Sequence, residues 1–206
     1  MAYNGENRKE KSKLTRQRIY ETADAMLATR GYSEISVNDI IKEAGVSKGA
    51  FYFHFASKDE LFTSLIDDYV KRLDADYESY LDSFPNDART EYVLIELVGK
   101  IAETVTLRVG YDNMLTLYKA QLTNDYDTSM VLSYNRRIYS MLSSVLARGM
   151  TRGEFRTDIP PDILAKHMMV ALRGITYEWC ARYPDFDYKA QALALFELLL
   201  KGISIR

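Results

Sequence analysis

Apolar residues recur at helical spacing from one end of this chain to the other. Ile19, Ala23, Met26 and Leu27 form a first group and Ile40, Ile41 and Ala44 a second; such intervals gather side chains on one side of an α-helix. A long, drifting stripe follows from Leu61 through Leu65, Tyr69, Leu73 and Tyr77 to Leu81. Further stripes lie over Arg89 to Arg108, a shorter segment with Met114, Leu115 and Tyr118, Thr128 to Arg152, Ile163 to Arg182, and about Tyr188 to Gly202. No run alternates with period two, so the expected fold is all-α.

Helix punctuation divides the pattern. Thr15 can cap the first helix, and Gly31 ends it after Arg30. Tyr32 to Ile35 reads as a connection. Ser36 with Asp39 three residues on is a carboxylate variant of the capping box, Gly45 stops the second helix, and Ser47 can cap a third. Ser57 with Glu60 is a stronger capping box, opening a long fourth helix that Pro85 closes near Phe84. Pro160 and Pro161 suit another helix start. Three parts are predicted: a polar arm over residues 1–13, flexible and basic; a three-helix helix-turn-helix domain over 14–57; and a larger helical domain over 58–206.

The chain has 206 residues and a net charge of only −2, but the charge is unevenly placed. Residues 1–58 hold 10 Lys and Arg against 7 Asp and Glu, whereas residues 59–206 hold 17 against 22. A mildly basic end joined to an acidic body fits a nucleic-acid reader with a regulatory attachment. Arg8, Lys9, Lys11 and Lys13 can follow a phosphate backbone or enter a minor groove, or simply be solvated. No apolar run approaches a membrane span and no leader precedes a cleavage site, so a cytoplasmic protein is expected. The single cysteine, Cys180, excludes an internal disulfide framework.

The segment SVNDIIKEAGVSKGAFYFHF, Ser36 to Phe55, reads as two short helices joined by a three-residue turn. Lys48 and Tyr52 stand one turn apart on one face with Gly49 between them, while Ala50 and Phe51 point towards a small core. Lys48 is the candidate for a guanine acceptor or a nearby phosphate, and Gly49 lets backbone approach DNA. Tyr52, His54 and Lys58 can donate to phosphates; Ser36, Asn38 and Ser47 stand at helix starts where free backbone donors meet phosphate; Thr15 can touch the backbone. Ser36 and Ser47 are caps with or without DNA.

The stretch AGVSKGAFYFHFASKDELF resembles the end of the DNA-binding domain of TetR-family transcriptional regulators, closely over about Leu14 to Leu65. The resemblance implies a dimeric repressor, released from its operator by a small molecule, whose Tyr52, His54 and Lys58 occupy phosphate-contacting positions. It also implies dimerisation through the last two helices.

The helix pattern agrees with that implication. Seven apolar residues from Leu193 to Ile203 span roughly 220° of the last helix, more than one core needs, and Ala171 and Gly174 on the preceding helix allow close approach. Ala171, Gly174, Leu193, Phe196 and Leu200 are the expected interface, in a homodimer that reads a palindromic operator. For a small apolar or aromatic effector the candidates are Met114, Tyr118, Tyr134, Met141, Met168, Tyr177 and Trp179, soft or large residues on the central helices. Arg136 and Arg137 read as a solvated face. His54 and His167 have no metal-ligand spacing and no phosphate loop is present, so neither an enzyme nor a cofactor or metal is expected. The alternative regulator is a helix-turn-helix protein whose body binds a protein partner.

Overall fold

Residues 3–124 and 127–205 are described by the structure, a computed structural model, with side chains from Lys9 onward. Ten α-helices run through them: α1 (Tyr3–Leu27), α2 (Val37–Ala44), α3 (Lys48–His54), α4 (Lys58–Asp82), α5 (Thr90–Glu103), α6 (Tyr111–Thr123), α7 (Ser129–Leu132), α8 (Arg137–Thr151), α9 (Pro161–Arg182) and α10 (Tyr188–Ile203). The extended backbone described is one isolated bridge, Phe155 to Ser204. No helix among the described residues is long and apolar enough to cross a membrane.

The chain forms two compact units: Met1–Tyr69 with Thr116–Ser129, and Val70–Leu115 with Met130–Arg206. In the first, Ile19, Ala23 and Met26 of α1 meet Ile40 and Ala44 of α2, Phe51 and Phe55 around α3, and Leu61, Phe62 and Leu65 of α4. Thr63 Oγ1 donates to the Asp127 carbonyl at 3.2 Å, attaching the second segment of this unit to its first. The other unit closes over Val93, Leu94 and Leu97 of α5, Leu142 and Leu146 of α8, Leu164 and Met168 of α9, and Phe196 and Leu200 of α10.

Three features depart from the sequence expectation. The first helix begins at Tyr3 rather than Thr15; the polar segment expected as a flexible arm is helical without an apolar stripe, because Lys, Arg and Glu are good helix formers. Arg8's side chain lies outside the described residues. Thr15 therefore sits inside a helix and caps nothing, its hydroxyl donating to the Lys11 carbonyl at 2.9 Å. The second departure is the end of α5, which widens into a π-helical turn over Thr104–Val109. Thr104 and Thr106 hydroxyls donate to carbonyls four residues back, each at 2.9 Å, a competition that disturbs the helical ladder.

Third, the helix expected over Thr128 to Arg152 is broken between α7 and α8, where Ser133 Oγ accepts from the Asn135 N–H at 3.1 Å. Arg136 follows with extended backbone (φ −60°, ψ 142°). Its guanidinium donates to Asp74 through Nε at 3.3 Å and Nη2 at 2.6 Å. These side chains are 11% and 4% exposed, so the pair expected on a solvated face is half wrong: the Arg136 side chain is largely withdrawn from solvent. Arg137 stays at the surface and pairs with Glu78.

One glycine of the body sets a packing distance. A Cβ at Gly149 on α8 would stand 2.4 and 2.6 Å from the Phe155 ring and 3.0 Å from Thr90 Cγ2, and Phe155 is fully buried. Gly149→Ala is expected to destabilise the protein by about 1–3 kcal/mol through overpacking, read as a lower midpoint in urea.

Candidate nucleic-acid interface

Local chemistry shapes α2 and α3. Ser36 caps α2: its Oγ accepts from the Asp39 N–H at 3.1 Å, and the Asp39 carboxylate accepts from the Ser36 N–H at 2.9 Å. The Ser36 hydroxyl, which also donates to Asp39 Oδ2 at 2.5 Å, and after it the Ser36 N–H hold the Asp39 carboxyl below the ordinary carboxylate range. Gly45 then adopts φ +62°, ψ 39°, the left-handed geometry that ends a helix cheaply only at glycine. Ser47 Oγ accepts from the Ala50 N–H at 3.1 Å and starts α3. Phe51 is wholly buried beneath it, which turns the opposite side of α3 outward.

On that outward side Lys48 and Gly49 are exposed, and Tyr52 keeps 46% of its surface. Ser36, Asn38 and Ser47 are exposed at the starts of α2 and α3. Thr15 is half-buried on α1 with its hydroxyl engaged internally, so it is not grouped with them. His54 is half-buried at the end of α3; burial, then the Arg16 charge, holds its imidazole below the ordinary value. The ring is therefore neutral at physiological pH, and a neighbouring phosphate would draw its pKa upward.

Lys58 is held within the chain. Its Nζ donates to the Tyr32 carbonyl at 2.7 Å and stands 3.7 Å from the centre of the Tyr32 ring. Burial lowers its pKa against the pull of Asp59. Asp59 accepts from the Tyr32 hydroxyl, and Phe62 packs edge-on against the same ring at 4.7 Å. Three side chains at the start of α4 thus grip one tyrosine of the loop after α1. The Ser57–Glu60 cap differs slightly from expectation: Ser57 Oγ accepts from the Glu60 N–H at 3.0 Å, but Glu60 reaches the Ala56 N–H at 2.6 Å.

Two residues without a role in the sequence reading stand beside this surface. Phe53 on α3 is 77% exposed; its signal was a ring lying off the Phe51 core face. Arg16 places its guanidinium 4.9 Å from the centre of the Phe55 ring, a contact across 39 positions that no local pattern announces.

The residues expected at the dimer face divide. Phe196 and Leu200 are buried in their own chain's core and are not available to a partner, because α10 turns the Ala192–Phe196–Leu200–Ile203 side inward. Leu193 and Ala171 are half-buried against that core. Gly174 is exposed with open space above it, in line on α9 with Ile163, Val170 and Tyr177, all exposed; Leu198 and Leu199 are the outward leucines of α10.

The effector candidates are likewise dispersed. Met141, Met168 and Trp179 are buried, Met114 and Tyr118 half-buried, and Tyr134 and Tyr177 more than half exposed. Met141 and Met168 share the core of the second unit, whereas Tyr118 belongs to the first unit.

With this geometry the comparisons agree. Residues 19–65, which enclose α2, α3 and the core beneath them, match the family model described as bacterial regulatory proteins, tetR family. The regulator EthR of Mycolicibacterium smegmatis is 44% identical over 69 residues, 34% of this chain; the match spans only 32% of that relative. The repressor KstR2 of Mycobacterium tuberculosis is 29% identical over 152 residues, covering 72% of this chain and 73% of its own. Among solved structures, Thermus thermophilus FadR, described as a TetR-family transcriptional repressor in complex with lauroyl-CoA, superposes with a TM-score of 0.69 at 21% identity, covering 93% of this chain and 96% of that one.

Proposed function

Since this chain belongs to the TetR family of bacterial regulatory proteins, we propose that it is a ligand-responsive repressor that binds a palindromic operator as a homodimer in the cytoplasm. The observation that carries the reading is the exposed Lys48–Gly49–Tyr52 face on a capped helix whose other side, through Phe51, closes a core. A helix presented in that way fits the major groove, with Lys48 reaching a base edge or phosphate and Tyr52 and His54 donating to the backbone. The exposed Phe53 ring suits a thymine methyl.

The outward residues of α9 and α10, Ile163, Val170, Tyr177, Leu198 and Leu199, support dimerisation. Gly174 permits close helix approach among them. Two-fold pairing would place half-sites about one DNA turn apart or a multiple of it. The effector is proposed to be a small apolar or aromatic molecule; the acyl chain of the lauroyl-CoA in complex with the similarly folded FadR supports an apolar portion. The chain passes between the units within α4, α6 and α7, and α4, separated from the end of α3 by three residues, is proposed as the covalent route from effector to DNA.

Selection from random-sequence duplexes followed by gel shift tests the reading. Binding on the order of 10⁻⁸ M or tighter at physiological salt is expected. Lys48→Ala should cost about 1–3 kcal/mol and relax preference at one base position. A uniform loss over all sequences would assign Lys48 to phosphate instead. Folded protein that binds no duplex would overturn the proposal.

A further inference from the structure

The helix α1 extends well before the core it serves. Its first core residue among the described side chains is Ile19, yet the helix starts at Tyr3, and from Lys9 to Arg18, nearly three turns, no residue is buried. In this extension Lys9, Lys11 and Lys13 are exposed, as are Arg16 and Arg18. Glu10 is the acid among residues 9–18. The salt bridges found among the described residues involve none of these cations. Five cations against one acid, on turns with no core to bury, repel one another and raise the cost of the helix, unless a polyanion neutralises them.

Helical geometry sorts the charges. Lys9, Lys13 and Arg16 stand at i, i+4 and i+7 and share one face, about 10 Å long, whereas Lys11 and Arg18 share the opposite face. The first face is the one joined to the reading helix: Arg16 lies over the ring of Phe55, the residue that closes α3, and its charge reaches His54. Charge complementarity and continuity with the nucleic-acid surface thus coincide on that face.

We propose that the Lys9–Lys13–Arg16 face of α1 is a rigid cationic rail that holds the phosphate backbone of the duplex flanking the base-reading contact. This rests on the DNA-binding reading above. It differs from a flexible arm in its geometry: a helix does not thread a minor groove as a loose strand does, but lays its cations along a phosphate track at fixed spacing. It adds affinity without sequence preference, since phosphate contacts position and do not specify.

The test is salt-dependent binding of the full chain to two duplexes of equal length, one carrying the site recovered by selection and one of mixed sequence. Each phosphate contact contributes about 0.9 to the slope of log K against log salt concentration. Lys9→Gln with Lys13→Gln removes two contacts from each protomer of the dimer, so it should lower that slope by about 3.6 on both duplexes and weaken binding at 0.1 M salt by at least about tenfold. The opposite-face pair, Lys11→Gln with Arg18→Gln, should leave the slope unchanged. Glutamine keeps helix propensity, and circular dichroism verifies that α1 persists. An unchanged slope for Lys9→Gln with Lys13→Gln, or an equal fall for both pairs, overturns the rail. If the wild type binds the selected duplex and Lys48→Ala impairs it, that failure leaves the DNA-binding reading intact; wild-type protein that binds neither duplex overturns both.

Discussion

Arg136→Met is expected to lower stability by about 3–5 kcal/mol, because it strands the buried Asp74 carboxylate without its partner. The two side chains meet through two hydrogen bonds and are almost shut off from solvent. Neither Arg136 nor Asp74 belongs to the proposed DNA surface, so the loss should appear in urea denaturation as a lower midpoint with a similar slope. Replacing both partners together, Arg136→Met with Asp74→Leu, removes the unpaired charge along with the pair and should recover most of the stability. A single variant as stable as the wild type would show that water or another cation reaches Asp74.

Phe51→Ala should be as damaging to the other unit, at about 3–5 kcal/mol for a fully buried phenyl ring. Phe51 is wholly enclosed and makes ring contacts with Tyr52 at 5.3 Å and Phe55 at 6.1 Å. Its ring holds α3 on its core, and without it the seven-residue helix has no means of its own to persist, since isolated helices that short are unstable in water. The measurable result is a loss of gel shift with most far-UV circular dichroism retained, because the helices of the second unit do not depend on Phe51. Retained binding with wild-type affinity would contradict the assignment of α3 as the reading helix.

These two sites differ in how far they were legible beforehand. The setting of Phe51 was read from a few neighbouring positions: the Ser36 cap, the Gly45 stop, the Ser47 cap and the four-residue step from Lys48 to Tyr52 all act within one or two helical turns. Asp74 and Arg136 are 62 positions apart, and a charged pair in sequence looks the same whether it meets water or a distant carboxylate. The start of α5 near Arg89 was legible, but its cap was opaque for a similar reason, the Thr90 N–H being met at 2.7 Å by Glu154 from another helix end. On α10, apolar residues cover so much of the circumference that periodicity alone cannot tell the inward side from the outward one. Packing decides it, in favour of Phe196 and Leu200 inside and Leu198 outside. The opening turns of α1 carry no apolar rhythm at all, so their helicity rests on backbone propensity, which a search for buried faces overlooks.

The hydrogen bond from Thr63 to Asp127 has a practical bearing on protein engineering. The amino-terminal compact unit takes in Thr116–Ser129 as well as the first 69 residues, so it is discontinuous along the gene. A graft of residues 1–69 onto a foreign sensor would leave behind a piece of its own wall. Chimeras that preserve the reading unit must therefore carry the later segment too, or supply a substitute surface where it lay.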